Sequence, residues 1–232
     1  MHVRNRYSIL LIILPAILLA ALLLNSGPAL AQDGVQNAAA AQSGLSIDVE
    51  VGFGGVIKDE QWLPIYLTAS NDGPDVEGRL RIVASQGMGA ETVYQAPVSL
   101  PTRSLKRVPI YIYSAGFSSS LTAVLVDERG NVLAEAEGEI VDRVRGDGLL
   151  YGVVTSDPAV WTFLEQVNAG RSDAAAALMD LNDLPDSGAA WSALDVLIFH
   201  EIDSGQLSSR QQAALRGWLS QGGQLVVTGG AG

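Results

Sequence analysis

The chain reads as an all-β sandwich followed by a partial α/β open parallel sheet. Three observations carry this reading. Between Leu45 and Ile140 short apolar runs of period two recur between turn signals. After Asp142 they give way to continuous apolar runs alternating with helical spacings. Residues 1–31 stand apart as the layout of an export signal.

The elements follow in order. Gln32 to Gly44 is Ala, Gln, Asn and Gly with almost no large apolar side chain, a flexible spacer over 32–44. Leu45, Ile47, Val49, Val51 and Phe53 alternate with Ser46, Asp48, Glu50 and Gly52, the pattern of a half-buried strand that Gly54-Gly55 breaks. Trp62 to Ala69 is the next apolar run, and Asn71-Asp72-Gly73-Pro74 turns the chain. Leu80, Ile82 and Ala84 share one face. Thr92 to Leu100 and Arg107 to Tyr113 read as strands, the second an edge or bulged strand because Pro109 donates no ladder hydrogen bond. Leu121 to Val126 and Val132 to Ile140 flank the turn Asp127-Glu128-Arg129-Gly130-Asn131, a hairpin. Seven or so such strands over 45–142 predict a sandwich of immunoglobulin-like type.

The second part runs from 148 to 232. Leu149 to Val154 reads as a parallel strand buried on both faces. Ser156-Asp157-Pro158 starts a helix, with Asp157 as cap and Val160, Phe163, Leu164 and Val167 as its apolar stripe. Ala175 to Leu181 fits strand or helix. Leu194 to Phe199 is a second buried strand. Ser208 and Gln211 form a capping box, and Leu215, Trp218 and Leu219 are the stripe of the helix behind it. Gly222-Gly223 stops that helix, and Gln224 to Val227 reads as a third buried strand. The chain ends at Gly229-Gly230-Ala231-Gly232, directly after a third strand, where an open α/β domain has further strands to come; the expectation is a piece of a longer protein with only the N-terminal part of that domain present.

The compartment comes from the first residues. Arg4 and Arg6 precede 16 apolar residues, Ile9 to Leu24, and Ala29-Leu30-Ala31 supplies the small-x-small pattern of a signal peptidase site, with cleavage before Gln32. A helix of that stretch spans about 24 Å, short of the roughly 30 Å hydrocarbon core, which favours a cleaved signal over an uncleaved anchor. Either places the rest on the outer side of the cytoplasmic membrane, periplasmic, extracellular or secreted. Removing residues 1–31 leaves 201 residues with 12 basic against 25 acidic side chains, a net charge of −13. That balance repels nucleic acid. The chain has no cysteine, so it forms no disulfide and carries no thiolate nucleophile, thiolate metal site or cysteine-borne lipid.

Four segments carry a resemblance: Leu194 to Phe199, Leu207 to Gln211, Ala214 to Trp218 and Gly222 to Gly230. They resemble the class I glutamine amidotransferase-like domain of bacterial envelope proteins. In those proteins a signal or anchor precedes a β-sandwich, the α/β domain follows, and membrane helices come near the C-terminus. Trp62 to Leu67, with Asn71-Asp72-Gly73 and Gly78, looks like the sandwich of the same proteins. The resemblance implies a flavodoxin-like sheet and a tether by an uncleaved signal or by helices beyond this piece. Family members that are enzymes use a cysteine nucleophile, which is missing here, so no catalytic residue carries over.

Candidate chemistry gathers at the ends of the α/β strands. His200 follows a strand with Glu201 and Asp203 nearby, and Thr228 opens a glycine-rich stretch. Carboxyl ends of parallel strands are where ligands bind, so these four are the ligand-edge candidates. A lone histidine lacks the partners that metal spacing requires, and the glycine stretch lacks a P-loop lysine. Thr155, Ser156 and Asp157 offer hydroxyls with no base placed to activate them. Trp62, Tyr66, Tyr94, Tyr111 and Tyr113 suit core or cross-strand packing. No cofactor or metal is implied. The expectation is a non-catalytic scaffold or interaction protein of the envelope, whose partners are other envelope or membrane proteins. The alternatives are a hydrolase or amide-acting enzyme with active residues beyond 232, and a small-ligand sensor at the sheet edge.

Overall fold

A computed structural model describes residues 44–86, 90–115 and 120–229. The proposed signal, its cleavage residues Ala29, Ala31 and Gln32, and nearly all of the spacer lie outside the described residues.

Seven strands build two antiparallel sheets. One has the order β1 (Leu45–Val51), β3 (Trp62–Asn71), β6 (Ser104–Tyr113). The other has the order β5 (Ala90–Leu100), β4 (Val76–Gln86), β7 (Ser120–Asp127), β8 (Val132–Glu139). Three strands against four is an immunoglobulin-like division. The inward residues alternate along each strand, so Leu63, Ile65 and Leu67 of β3 and Leu80 and Ile82 of β4 are fully buried. Pro109 lies on the edge strand β6, where its missing N–H costs no ladder bond. Buried Asn71 closes the turn after β3. Its amide donates to the carbonyls of Pro74 and Leu100, both at 2.7 Å, and its side-chain oxygen accepts from the Gly73 N–H at 2.8 Å.

The remaining strands are parallel. β2 (Val56–Lys58) pairs with β9 (Asp142–Val144). The four-stranded sheet has the order β11 (Ala174–Met179), β10 (Leu149–Thr155), β12 (Val196–His200), β13 (Gln224–Thr228). Every residue of β10 from Leu149 to Val154 is buried, because both faces are covered. Helix α1 (Ser209–Ser220) has the expected capping box: the Ser208 Oγ accepts from the Gln211 N–H at 3.2 Å, and the Gln211 Oε1 accepts from the Ser208 N–H at 2.9 Å.

Three expectations need correction, and one open reading is resolved. The segment Pro158–Gln166 is a 3₁₀ helix, and of the expected stripe only Leu164 is buried. Its tighter winding eclipses residues three apart, so a 3.6-residue stripe no longer shares one face. Asp157 precedes that helix but its side chain makes no capping bond; its own N–H instead donates to the Thr155 Oγ1 at 3.0 Å. The ambiguous segment is strand β11, whose small alanines sit at the sheet's edge. β13 is not buried: it is the other edge strand, with Val226 41% and Val227 67% exposed.

The sandwich and the parallel sheet share one core. A single cluster of buried apolar residues runs from Leu63, Ile65 and Leu100 through Val144 and Leu150 to Trp191, Leu197 and Trp218. The outer face of β3 packs against the 3₁₀ helix Gly188–Ala193. That cover explains why Leu63 to Leu67 form an unbroken buried run in an otherwise alternating sheet. Trp191 is fully buried, 5.5 Å from Trp218 between ring centroids. Both indoles are satisfied, Trp191 Nε1 donating to the Pro185 carbonyl at 2.9 Å and Trp218 Nε1 to the Leu194 carbonyl at 3.2 Å.

Candidate functional site

The parallel sheet aligns its strand ends. Thr155, His200 and Thr228 are register partners across β10, β12 and β13, in one row at the carboxyl edge. The strand order sends the chain from β10 to β11 on one side and brings it back to β12 on the other. The crevice between β10 and β12 is therefore the point where the winding reverses, where α/β sheets take ligands.

His200 and Thr228 are brought together. His200 Nδ1 and Thr228 Oγ1 share a hydrogen bond of 2.9 Å. The Trp161 ring stands edge-on to the imidazole with centroids 5.3 Å apart, and Phe163 stacks on Trp161. The Trp161 Nε1 is buried and has no hydrogen-bond partner. A hydroxyl at that distance from an imidazole has the geometry of a nucleophile and its base, but a working pair also needs a polar group to orient the imidazole. The contact shown on the imidazole's other side is the Trp161 ring.

Glu201 and Asp203 do not join that pair. Glu201 takes a left-handed backbone, φ 51°, and its N–H donates to the Thr228 carbonyl at 3.2 Å. Its side chain is exposed. The Asp203 carboxylate serves its own turn, accepting from the Gly205 N–H at 2.9 Å and from Gln206 Nε2 at 3.4 Å. Among the described residues no group of three or more histidines and carboxylates is placed to hold a metal ion. A cavity of about 370 Å³ opens beside this row, between the loop leaving β12, helix α1 and β13.

A second polar cluster lies between the sandwich and the parallel sheet. Arg107 of β6 donates through Nη2 to Glu50 at 2.7 Å and to Asp183 at 2.8 Å, and through Nη1 to the Asn182 carbonyl at 2.9 Å. Its guanidinium sits 3.8 Å over the Tyr66 ring. The Tyr66 hydroxyl donates to the Asp183 carbonyl at 2.7 Å, and the Tyr111 hydroxyl donates to the Asp186 carboxylate at 2.5 Å. Burial raises both phenol pKa values; the Tyr111 and Asp183 charges raise Tyr66 further, and the bond to Asp186 raises Tyr111 further. Beside them Lys58 Nζ, 5% exposed, meets the Asp195 carboxylate at 2.6 Å, which also accepts from the Leu150 N–H at 2.8 Å.

This cluster was missed by reading the sequence. By sequence Tyr66 and Tyr111 suit packing like the other strand aromatics, as Trp62 does against Tyr94 and Tyr113. The available signal was an arginine, a glutamate and a tyrosine, Arg107, Glu50 and Tyr66, converging on adjacent strands. Their partners lie in the short 3₁₀ helix Leu181–Asp183 and the bend after it, a segment without periodicity.

The family-model comparison reaches the sandwich. A family model described as a domain of unknown function, DUF8726, matches residues 44–140. No curated protein matches the chain. Among solved structures, the crystal structure of a CARDB domain of a Pyrococcus furiosus protein in complex with di-metal ions is 15% identical, with a TM-score of 0.29, over 43% of this chain and 91% of that one. The solution structure of the same domain is 16% identical, with a TM-score of 0.29, over 43% and 95%. The alkylpurine DNA glycosylase AlkC of Pseudomonas fluorescens, bound to DNA containing an abasic site analog, is 16% identical, with a TM-score of 0.31, over 44% of this chain and 31% of that one. Likeness at that level carries no argument about ligand or activity, and what the comparisons establish is that residues 44–140 are similar to a domain family of unknown function.

Proposed function

We propose that the chain is a non-catalytic interaction or scaffold module of the bacterial cell envelope, exported and held outside the cytoplasm. In this reading its α/β part is an amidotransferase-like domain without the catalytic machinery. The strand order of the parallel sheet, with its second strand outermost and its first strand next, supports the flavodoxin-like part of this reading.

The observation that favours an interaction role is the edge of β13, which either the next strand of this α/β domain or a partner's strand would complete. An open strand edge is a template for another chain, and natural proteins guard it with charge, proline or a bulge. β13 reads Gln224-Leu225-Val226-Val227-Thr228, with none of these guards and with both valines exposed. A partner strand added there gains main-chain bonds and buries apolar surface together.

The test is a photo-crosslinking amino acid placed at Val227 in cells, with Glu128 in the β7–β8 turn as control. An adduct with a protein of the envelope fraction is expected from 227 and not from 128, and Val226→Lys should abolish it. A reporter fused after residue 229 should be active only outside the cytoplasm. No adduct at 227, equal adducts at 128, or a cytoplasmic reporter would overturn the reading.

A further inference from the structure

The cavity at the carboxyl edge has an apolar floor and two opposite charges on its rim. Phe199, Leu207, Leu215, Leu225 and Val227 line it, and Glu201 and Arg216 line it as well. Its volume of about 370 Å³ lies in the range of small-ligand pockets, about 300–1,000 Å³. The surrounding elements hold it open: β12 and β13 form one wall in register, and α1 forms the other through buried Leu215.

The two rim charges are the informative part. Arg216 makes no ion pair within 4.0 Å among the described residues, and neither does Glu201. They face one cavity without pairing with each other. A simple apolar acid would satisfy Arg216 and set its carboxylate against Glu201. An apolar amine would do the reverse. A ligand with both charges at its ends and an apolar body between them complements all three features.

We infer that this cavity binds an apolar dipeptide as its zwitterion, with the carboxylate at Arg216, the ammonium at Glu201 and the side chains on the floor. A volume of about 370 Å³ over five apolar lining side chains has room for two apolar side chains, which favours a dipeptide over a single amino acid. Glu201 is set in place by its left-handed backbone, φ 51°, and by its N–H bond to Thr228. Strained backbone of this kind persists where surrounding structure over-determines it, and it collects at ligand sites. The site does not depend on a partner strand at β13, since the cavity lies between that strand and α1.

Isothermal titration of the purified full chain with Leu-Leu tests this, using N-acetyl-Leu-Leu, Leu-Leu-amide and L-leucine for comparison. Leu-Leu should bind, and capping either end or shortening to leucine should weaken binding about tenfold or more, as expected for losing a charge-assisted hydrogen bond. Arg216→Gln should weaken Leu-Leu and leave the amide unchanged. Glu201→Gln should weaken Leu-Leu and leave the acetylated form unchanged. Both side chains are exposed, so unchanged far-ultraviolet circular dichroism and an unchanged Tm are expected of both variants. No binding of Leu-Leu, equal binding of its capped forms or of leucine, or variants that bind every probe as the parent does would each overturn the proposal.

Discussion

Lys58 carries a buried charge at the seam, its side chain 5% exposed. A buried ammonium is tolerated only while its partner is present, because removing one member strands the other's charge in a low-dielectric setting. Asp195→Asn keeps an oxygen for the Leu150 N–H and removes the charge that faces Lys58. It should cost about 3 kcal/mol in urea unfolding, and Lys58→Met in the same chain should restore much of that loss. Neither residue was legible beforehand, because 137 residues separate them and neither sits in a pattern. His200 and Thr228 were singled out in advance, since both follow strands, and they do bond each other. Asp203 was singled out on proximity alone, and its carboxylate is occupied by its own turn.

The two tyrosines at the seam make stability depend on alkali. Their folded pKa values are raised above the unfolded value of about 10, so their contribution is fully present below that pH and is lost as pH rises. Tyr66, 5% exposed, should remove up to about 1.4 kcal/mol per pH unit above pH 10. Tyr66→Phe should flatten the fall in urea midpoint between pH 10 and 11.5; an equally steep fall would locate the effect elsewhere. At the scale of the element, the start of α1 was fully legible, because a capping box is a local signal. Ser208→Ala should cost about 1 kcal/mol, read as a lower Tm with the fold unchanged. The segment Pro158–Gln166 was not legible as a 3₁₀ helix. Its proline start and apolar spacing suit either helix type, and the neighbouring surface decides how tightly it winds. The exposure of β13 was hidden for a related reason. An apolar run shows that a strand could be buried on both faces, not that anything lies beside it.

At the scale of the molecule, two sheet systems with different hydrophobic periods were readable from the change of pattern at Asp142. Their fusion into one core was not. It depends on β3 being covered on its outer face by residues 188–193, a contact between segments more than a hundred residues apart. The described residues fall in one compact unit. Calorimetry should therefore show a single unfolding transition with matching calorimetric and van't Hoff enthalpies. Two separable transitions would mean that the shared cluster does not couple the sheets.

The ion pair at the seam also makes each part of the chain a condition for the other. Lys58 belongs to β2 and Asp195 lies 137 residues further on. A sandwich folded without the parallel sheet would carry a bare ammonium on a dry face, and hydration is the cheaper state for that charge. Cutting the chain between them therefore wets this face instead of freeing two intact modules.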